Sequence, residues 1–257
     1  MPQEPVIRLA VFLGVLAALL LAERLWPWRR ATAARWLGNL GLGVAGALAV
    51  RATVPAAAVG AALWAEARGI GLLAGAPPWF SVPAALLALD LLVYAQHRVS
   101  HAVPLLWRLH RVHHADPDLD ATTALRFHPL EILLSMALKM AAVVALGAPP
   151  VAVLAFEVLL NATAMFNHAA IRLPPRLEQA LRLVLVTPEM HRTHHSEAKA
   201  ETDSCFGFCL PWWDRIFGSY RAAPAAGEAV VIGLPGWRAA PQQRLDRLLL
   251  QPFRRAP

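Results

Sequence analysis

Apolar stretches long enough to cross a lipid bilayer alternate along the chain with short segments that hold most of the charged residues. A membrane-spanning helix needs about 20 largely apolar residues in a row. Five stretches fit a membrane span, and they cover residues 6–26, 36–65, 78–96, 130–147 and 151–167. Pro55 inside the second stretch predicts a kinked or tilted helix. Pro149-Pro150 between the last two predicts a tight helical hairpin.

We interpret the first stretch as a retained membrane anchor rather than as a secretory signal. Glu4 precedes it, and it is longer than the apolar part of a signal peptide. Basic residues follow it at 29–35, and cytoplasmic loops of membrane proteins are rich in Lys and Arg. This orientation brings the ends of the third and fifth stretches to the cytoplasmic side, where everything after Ile171 then remains.

Composition supports a membrane protein and argues against other classes. Apolar residues make up 57% of the chain, the mean hydropathy is +0.46, and 16% of residues are charged, whereas soluble domains carry about 25%. Lipid must therefore cover part of the surface. The net charge of +7 does not form the dense basic stripe with interleaved aromatic residues that is typical of nucleic-acid binding. Cys205 and Cys209 suit neither a disulfide framework, nor a zinc ribbon, nor an iron–sulfur cluster.

The ten histidines all lie between His97 and His195, and eight of them form three short motifs. The motifs are His97-x3-His101, His110-x2-His113-His114 and His191-x2-His194-His195, while His128 and His168 stand alone. Helical positions i, i+3 and i+4 share one face, so each motif presents its imidazoles together. Neutral imidazole binds zinc, copper, iron and nickel. Because ten imidazoles exceed what one ion can bind, we take all ten as candidate ligands of a pair of metal ions.

The residues beside these histidines argue against two known metal chemistries. Zinc hydrolases of the H-E-x-x-H type need a glutamate beside the first ligand, and Arg111 and Arg192 occupy that position. The Glu-x-x-His pairs of ferritin-like di-iron proteins are missing as well. An all-histidine pair of irons remains, which would use O2 to oxidise an unactivated C–H bond.

The motifs resemble those of the fatty acid hydroxylase/sterol desaturase superfamily of membrane di-iron oxidases. The resemblance covers residues 85–220 and is specific, because many elements recur in order and spacing. Besides the three motifs it includes Arg126-Phe127-His128-Pro129, Asn167-His168, Asp203 and Asp214-Arg215-Ile216-Phe217-Gly218. It implies an all-α, multi-pass transmembrane helical bundle with a cytosolic, histidine-rich helical cap that holds a dimetal site.

The resemblance also implies a reaction and its participants. Members of the superfamily hydroxylate, desaturate or demethylate fatty acyl, sterol, carotenoid or ether-lipid substrates, and they use iron, O2 and electrons from a separate donor. We therefore expect two Fe ions, a lipid substrate from the bilayer, and a cytochrome b5-like donor or a ferredoxin-like donor with its reductase. A basic cytoplasmic face would attract an acidic donor. In a bacterium, the protein would lie in the plasma or inner membrane.

One position departs from the superfamily pattern. After the last motif, members commonly read Asp-x-Asn-Phe-Gly, and this chain reads Asp203-Ser204-Cys205-Phe206-Gly207. A thiol forms only weak hydrogen bonds, so Cys205 replaces an asparagine incompletely. We expect the change to affect rate or substrate preference, and it removes no candidate metal ligand.

Three further side chains are candidates for supporting roles around the metals. Asp90 and Tyr94 lie on one helical stripe with the two histidines of the first motif, inside an apolar stretch where a carboxylate is costly. We expect both to belong to the surroundings of the ligands or to a proton path. The alternative for Asp90 is a helix–helix hydrogen bond or a partner for Arg51. Asp203 either accepts a proton from a ligand imidazole or forms a turn.

These expectations define three domains and one activity. Residues 1–84 contain N-terminal transmembrane helices, residues 85–220 form the di-iron domain, and residues 221–257 form a basic cytosolic tail. The loop 116–120 is predicted to be solvated.

The predicted activity is O2-dependent hydroxylation or desaturation of a lipid-like substrate. The alternatives are a membrane metal-binding or transport protein and a catalytically inactive homologue. Transporters place ligands near the middle of the bilayer, whereas these motifs fall at predicted helix ends, which favours the enzyme.

Overall fold

The computed structural model describes residues 4–255 and consists of helices joined by short loops. The longer helices are α1 (Glu4–Leu25), α2 (Trp36–Thr53), α3 (Ala57–Glu66), α4 (Pro78–Ala102), α5 (Pro104–His114), α6 (Pro129–Leu146) and α7 (Pro150–His168). The shorter ones are α8 (Pro175–Leu181), α9 (Pro188–His194), α10 (Lys199–Thr202), α11 (Trp212–Ile216) and α12 (Leu245–Leu250). Residues 4–255 contain two isolated β-bridges and no β-strand, so the predicted all-α fold is confirmed.

The five predicted membrane spans are present as helical segments. Within the described residues, five segments are long and apolar enough to cross a membrane, and the second combines α2 and α3. They are Glu4–Leu25, Ala33–Glu66, Pro78–Ala102, Pro129–Leu146 and Pro150–His168. The break between α2 and α3 contains Pro55, which lacks the N–H that a continuous helix requires. The predicted kink is therefore confirmed, and the chain is an integral, multi-pass membrane protein.

Proline and glycine determine where the central helices begin and end. Proline is the first residue of α4, α5, α6 and α7, where its fixed φ suits a helix and its missing N–H costs nothing. Gly147 ends α6 with a φ of 60°, and Pro149-Pro150 leads into α7, which confirms the predicted hairpin. Gly71 leaves room for this turn, because a Cβ there would lie 2.1 Å from the Gly147 nitrogen.

Helices α4, α6 and α7 form the centre of the bundle. α4 packs against both α6 and α7, while α1 packs along α7 and α2 packs along α6. The main buried cluster contains small side chains such as Ala58, Ala85 and Ala152 beside Leu89 and Phe156. Small residues let membrane helices approach each other closely. α1 has no buried residue, as expected for a helix that is largely surrounded by lipid.

The loop that follows α5 is buried around an ion-pair network, so its predicted solvation is wrong. Asp116 and Asp120 are 0% and 1% exposed. Arg35 Nη1 donates to Asp116 Oδ2 at 2.7 Å, and Arg35 also pairs with Asp120. Trp36 donates to Asp120 at 2.8 Å and Asn39 to Asp116 at 3.1 Å. Buried charges need such partners, and Arg35 supplies one from the segment before α2.

The C-terminal segment folds back onto the bundle. Leu248 of α12 is buried against Leu42 of α2. Arg111 of α5 donates to the backbone oxygens of Gln251 and Arg254 at 2.7 and 2.6 Å. The segment therefore covers α5, the helix that carries the second histidine motif. The predicted domain boundaries, including the one at residue 221, stay predictions.

Candidate metal centre

The structure brings nine of the ten histidines together where α4 and α7 end. The five-histidine group contains His97, His101, His110, His114 and His194, and the four-histidine group contains His113, His168, His191 and His195. Within each group, one ring nitrogen of every histidine lies within 4.8 Å of those of the others. All three motifs contribute, and His168 joins them from the last residue of α7.

Each of the two longer motifs contributes to both groups. His110 and His114 of α5 belong to the five-histidine group, whereas His113 belongs to the four-histidine group. The third motif reverses this division, because His194 alone joins the five-histidine group. Successive residues turn by about 100° around a helix axis, so positions i+3 and i+4 point in clearly different directions. A single helical turn thus supplies imidazoles to two adjoining groups.

The two groups share a boundary. The rings of His114 and His195 belong to different groups and stack with centroids 4.5 Å apart. The rings of His113 and His114, also from different groups, lie 5.4 Å apart. The two groups therefore form one continuous cluster of imidazoles, as a dimetal site requires.

Hydrogen bonds on the outside of the cluster orient its rings. The Nδ1 atoms of four histidines contact oxygen acceptors: His97 with Phe206 O at 2.7 Å, His194 with Ser204 O at 2.7 Å, His168 with Ala164 O at 2.6 Å, and His110 with Glu131 Oε1 at 2.6 Å. A neutral ring that donates from Nδ1 keeps its lone pair on Nε2. Each of these rings therefore directs an unprotonated Nε2 into the cluster, as metal-binding histidines do.

The inner nitrogens have few partners of their own. The buried Nε2 atoms without a hydrogen-bond partner among the described residues are those of His97, His101, His194 and His195. The Nε2 atom of His168 lies 3.0 Å from that of His113 and 2.9 Å from that of His191. Buried polar atoms without partners are rare and costly. Coordination to metal ions would satisfy these atoms together, so the residues present fit a dimetal centre.

Burial favours the neutral form of His113 and His114 of α5 and of the three imidazoles of the third motif. It lowers the pKa of His194 to about 3 and the pKa values of His113, His114, His191 and His195 well below their usual range. The charge that a neighbouring imidazole would carry lowers these pKa values further. Neutral imidazole is the form that binds a metal.

His128 lies outside both groups. Its Nδ1 accepts a hydrogen bond from Leu130 N at 3.2 Å, and its Nε2 donates to Leu249 O at 3.1 Å. It therefore caps the first turn of α6 and contacts the C-terminal segment. Both ring nitrogens are occupied by the backbone, so the structure does not support the predicted ligand role.

Asp90 and Tyr94 support the segment that follows the third motif, and within residues 4–255 neither forms a hydrogen bond with a histidine. The Asp90 carboxylate accepts hydrogen bonds from Cys209 N at 3.3 Å, Leu210 N at 3.2 Å and Trp213 Nε1 at 2.8 Å. The Tyr94 hydroxyl lies 2.8 Å from Ser219 Oγ, and the Tyr94 ring stacks on Phe217. Arg51 instead points to the backbone oxygen of Pro55 at 3.5 Å. The alternative of an Asp90–Arg51 pair is therefore wrong.

Asp203 lies beside the five-histidine group. Its Oδ1 is 3.4 Å from His101 Nδ1, and its Oδ2 is 2.6 Å from Lys199 Nζ. The carboxylate can accept a hydrogen bond from the His101 ring. Its side chain is 38% exposed, however, and its contact with Lys199 is shorter. Its role as a partner of a ligand stays a prediction.

Two buried carboxylates of the site were not identified from the sequence. Glu131 in the first turn of α6 holds His110, as described above. Acidic residues are common in the first turn of any helix because of the helix dipole, so the position of Glu131 alone gave no signal.

Asp214 is the second buried carboxylate, and it accepts hydrogen bonds from Phe206 N at 2.8 Å and Gly207 N at 2.9 Å. Asp214 thereby fixes the backbone around Phe206, whose carbonyl oxygen contacts the His97 ring. In the sequence, the one sign of this role was that Asp214 lies in a segment that resembles the superfamily.

Cys205 occupies a backbone conformation that asparagine adopts more readily. Its φ is +50°, in the left-handed region where asparagine is enriched. Its Sγ accepts from Arg221 N at 3.2 Å and lies 3.3 Å from Arg221 O. An asparagine amide could accept from that N–H and donate to that carbonyl through stronger hydrogen bonds. The departure from the superfamily pattern therefore concerns the stability of this loop.

A cavity of about 310 Å³ adjoins the five-histidine group. His97, His110 and Glu131 reach it from the cluster. Apolar side chains of its wall include Val93, Phe127, Ile132, Met136, Leu160 and Phe208. Concave, mostly apolar sites with a few polar groups are typical of small-molecule binding. The cavity lies among α4, α6 and α7, three of the helices that are long and apolar enough to cross a membrane.

The sequence that forms this site belongs to one known family. A sequence profile of the family described as fatty acid hydroxylase matches residues 82–219, which is more than half of the chain. The chain is therefore a member of that family, and the resemblance seen in its motifs is confirmed. No solved structure matches the chain.

Several curated relatives are named for the modification of lipids. The ornithine lipid hydroxylase OlsE of Rhizobium tropici is 30% identical over 162 residues, which cover 62% of this chain and 47% of the relative. The alkylglycerol monooxygenase of Homo sapiens is 34% identical over 176 residues, which cover 67% of this chain and 36% of the relative. The alkylglycerol monooxygenase of Xenopus tropicalis is 32% identical over 137 residues, covering 52% and 29%. The chain spans less than half the length of these relatives.

Replacing Glu131 tests the support of the five-histidine group. Glu131→Gln keeps the size of the side chain but weakens the hydrogen bond that orients His110. We expect metal affinity to fall about 10- to 100-fold, as with other outer partners of metal-binding histidines. Titration of the purified metal-free protein with Fe(II) measures the change. Glu66→Gln, at an exposed position of α3, is the matched control, and equal affinities in the two variants would contradict the role of Glu131.

Replacing Cys205 tests the loop after the third motif. Cys205→Asn should raise the free energy of unfolding by about 1 kcal/mol, because asparagine tolerates the left-handed conformation and forms stronger hydrogen bonds. Denaturant unfolding in detergent micelles measures the difference. Cys205→Ala keeps the unfavourable φ and loses both contacts with Arg221, so it should be less stable than the parent. A Cys205→Asn protein less stable than the parent would disprove this account.

Proposed function

We propose that the protein is a membrane-bound, O2-dependent lipid hydroxylase that holds two iron ions, one in each histidine group. One observation carries the proposal: nine imidazoles meet in two adjoining groups beside a mostly apolar cavity, and the Nε2 atoms of four of them have no hydrogen-bond partner among the described residues. Iron bound by imidazoles in this way would activate O2 for attack on an unactivated C–H bond. Family membership agrees with that chemistry.

The chain's own residues would position the substrate and exclude water. The cavity walls of α4, α6 and α7 would hold an alkyl chain or ring against the five-histidine group. Phe206 and Phe208, which pack edge-on or tilted against the His97 ring at 5.5 and 5.0 Å, would keep solvent away from it. The outer hydrogen bonds would keep the rings of His97, His110, His168 and His194 oriented through the reaction, which lowers the cost of reorganisation.

The substrate class follows from the membrane location and from the relatives. A lipid can enter from the bilayer without crossing water, and the cavity is lined mainly by the central membrane helices. The named relatives are a hydroxylase and monooxygenases, so hydroxylation is favoured over desaturation. An acyl or ether lipid is the substrate class that these names favour over a sterol or a carotenoid.

Electrons would come from outside these 257 residues. The chain has no His-Pro-Gly-Gly haem motif and only two cysteines, so a cytochrome b5-like donor, or a ferredoxin-like donor with its reductase, would supply the electrons.

We place the metal centre on the cytoplasmic face, as the positive-inside rule favours. The metal-transport alternative is weaker, because the two groups gather at the ends of α4 and α7 and in shorter helices beyond them rather than at mid-membrane.

Metal analysis tests the two-iron centre. We expect the protein reconstituted with Fe(II) under argon to contain two irons per chain, by mass spectrometry of the acid-digested sample. His194→Ala removes one ligand from the five-histidine group and His191→Ala one from the four-histidine group, so each should lower the iron content towards one. His128→Ala should retain both irons. Iron loss from His128→Ala as large as from His194→Ala would contradict the assignment of the groups.

Lipid profiling tests the reaction. A host that expresses the protein in air should accumulate a lipid heavier by one oxygen atom, and growth under 18O2 should label that atom. The same host with His194→Ala, or without O2, should lack this product because the metal centre is incomplete or has no oxidant. Activity that persists after complete removal of iron, or an oxygen atom derived from water, would disprove the proposal.

A further inference from the structure

Charged side chains meet inside the membrane-spanning part of the bundle. Glu157 of α7 accepts from Lys139 of α6 at 2.9 Å and pairs with Arg8 of α1 at 2.5 Å. Their side chains are 5%, 12% and 29% exposed, respectively. Ionisable residues at this depth are costly and usually mark a functional site. We call Arg8, Lys139 and Glu157 the charged triad.

The charged triad lines the same cavity as the five-histidine group. All three residues border it, together with the polar side chain of Asn161. Glu131, at the histidine end, and Lys139 are eight positions apart on α6, which corresponds to about 12 Å along a helix. The cavity thus has a metal-binding end and a charged end, with apolar walls between them. Such a shape matches an amphiphilic molecule better than a plain hydrocarbon.

The charges at that end are balanced. Arg8 also pairs with Glu4 at 2.8 Å, so two cations face two carboxylates. Adding a free carboxylate or phosphate would leave one negative charge without a partner in a region of low dielectric constant, which is strongly unfavourable. An uncharged ligand avoids that cost. The balance therefore selects against anionic groups.

Unused hydrogen-bond donors remain at the charged end. The Lys139 ammonium has three donors, and the described residues provide one acceptor for it, on Glu157. The buried Nε of Arg8 has no partner among the described residues. A purely structural connection of α1, α6 and α7 would need neither open donors nor an adjoining cavity. Both features fit a missing oxygen acceptor.

We propose that the charged triad binds an uncharged oxygen of the substrate, such as a hydroxyl, ether or ester oxygen, and so selects the carbon presented to the histidines. This inference rests on the proposed lipid hydroxylase function. The rise of about 12 Å along α6 between Glu131 and Lys139 sets the scale of the separation between the bound oxygen and the position that reacts. Lys139 is in this role a specificity-determining residue, remote from the reacting atoms.

Binding to the metal-free protein tests the proposal without any need for activity. Tritiated 1-dodecanol is the probe, and unlabelled dodecane, dodecanoate and dodecyl methyl ether compete with it on the purified full chain in micelles. We expect the alcohol and the ether to bind at least about tenfold more tightly than dodecane and dodecanoate, since a hydrogen bond to a charged donor is gained. Dodecane or dodecanoate competing as well as the alcohol would overturn the proposal.

Variants assign the preference to the charged triad. Lys139→Met should remove the advantage of the alcohol over dodecane. Lys139→Met/Glu157→Gln keeps the charges balanced through Arg8 and Glu4, so it should lose the advantage even if the single variant folds poorly. Arg51→Met, an exposed cation of α2 outside the cavity, is the matched control and should retain it. An unchanged preference in a folded double variant would overturn the proposal.

Product analysis separates this inference from the function on which it rests. The iron-loaded, reduced protein is given 1-dodecanol or 1-tetradecanol in air, and the new hydroxyl is located by mass spectrometry. The oxidised carbon should stay at one distance from the existing oxygen in both alcohols. A constant distance from the methyl end would overturn the inference while leaving the hydroxylase function intact. Selective binding without any oxidised product would instead count against the hydroxylase function.

Discussion

Nine imidazoles face one another inside this protein, and within residues 4–255 the Nε2 atoms of four of them have no hydrogen-bond partner. Burying unpaired lone pairs costs free energy, so each ring must be prevented from turning away. The outer hydrogen bonds to Phe206, Ser204, Ala164 and Glu131 do this for four of the rings. The remainder of the bundle can be understood as the scaffold that keeps those acceptors in place.

One of the backbone acceptors, Phe206, lies in a segment that buried carboxylates hold in place. Asp214 binds the amides of Phe206 and Gly207, and Asp90 binds two amides slightly further along the same segment. Asp90 thus holds the segment that contains the acceptor of His97, and its effect on the metal ligands stays a prediction. Such layered support is how metal ligands are kept within the narrow geometry that they require. The hydrogen bonds from Cys209 N, Leu210 N and Trp213 Nε1 also explain how the Asp90 carboxylate can be buried in an apolar helix.

Much of this architecture could be predicted because it depends on periodicity and on proline. Five apolar stretches became five candidate spans, and Pro55 interrupts the second. What could not be predicted depends on contacts between distant segments. Asp116 is buried because Arg35 approaches from another part of the chain. Glu131 resembles any first-turn acid until His110 is placed beside it, and His128 resembles a ligand until its ring nitrogens meet the backbone.

The separation of the ligands along the chain has a consequence for how the protein is made. A nascent chain that has emerged only as far as α5 carries five of the nine imidazoles and none of those from α7 and the third motif. The C-terminal backbone that holds Arg111 is synthesised later still. A partial cluster would bind the strongest available divalent ion, since affinity alone does not select iron. Neither histidine group has its full set of imidazoles before the third motif has been synthesised.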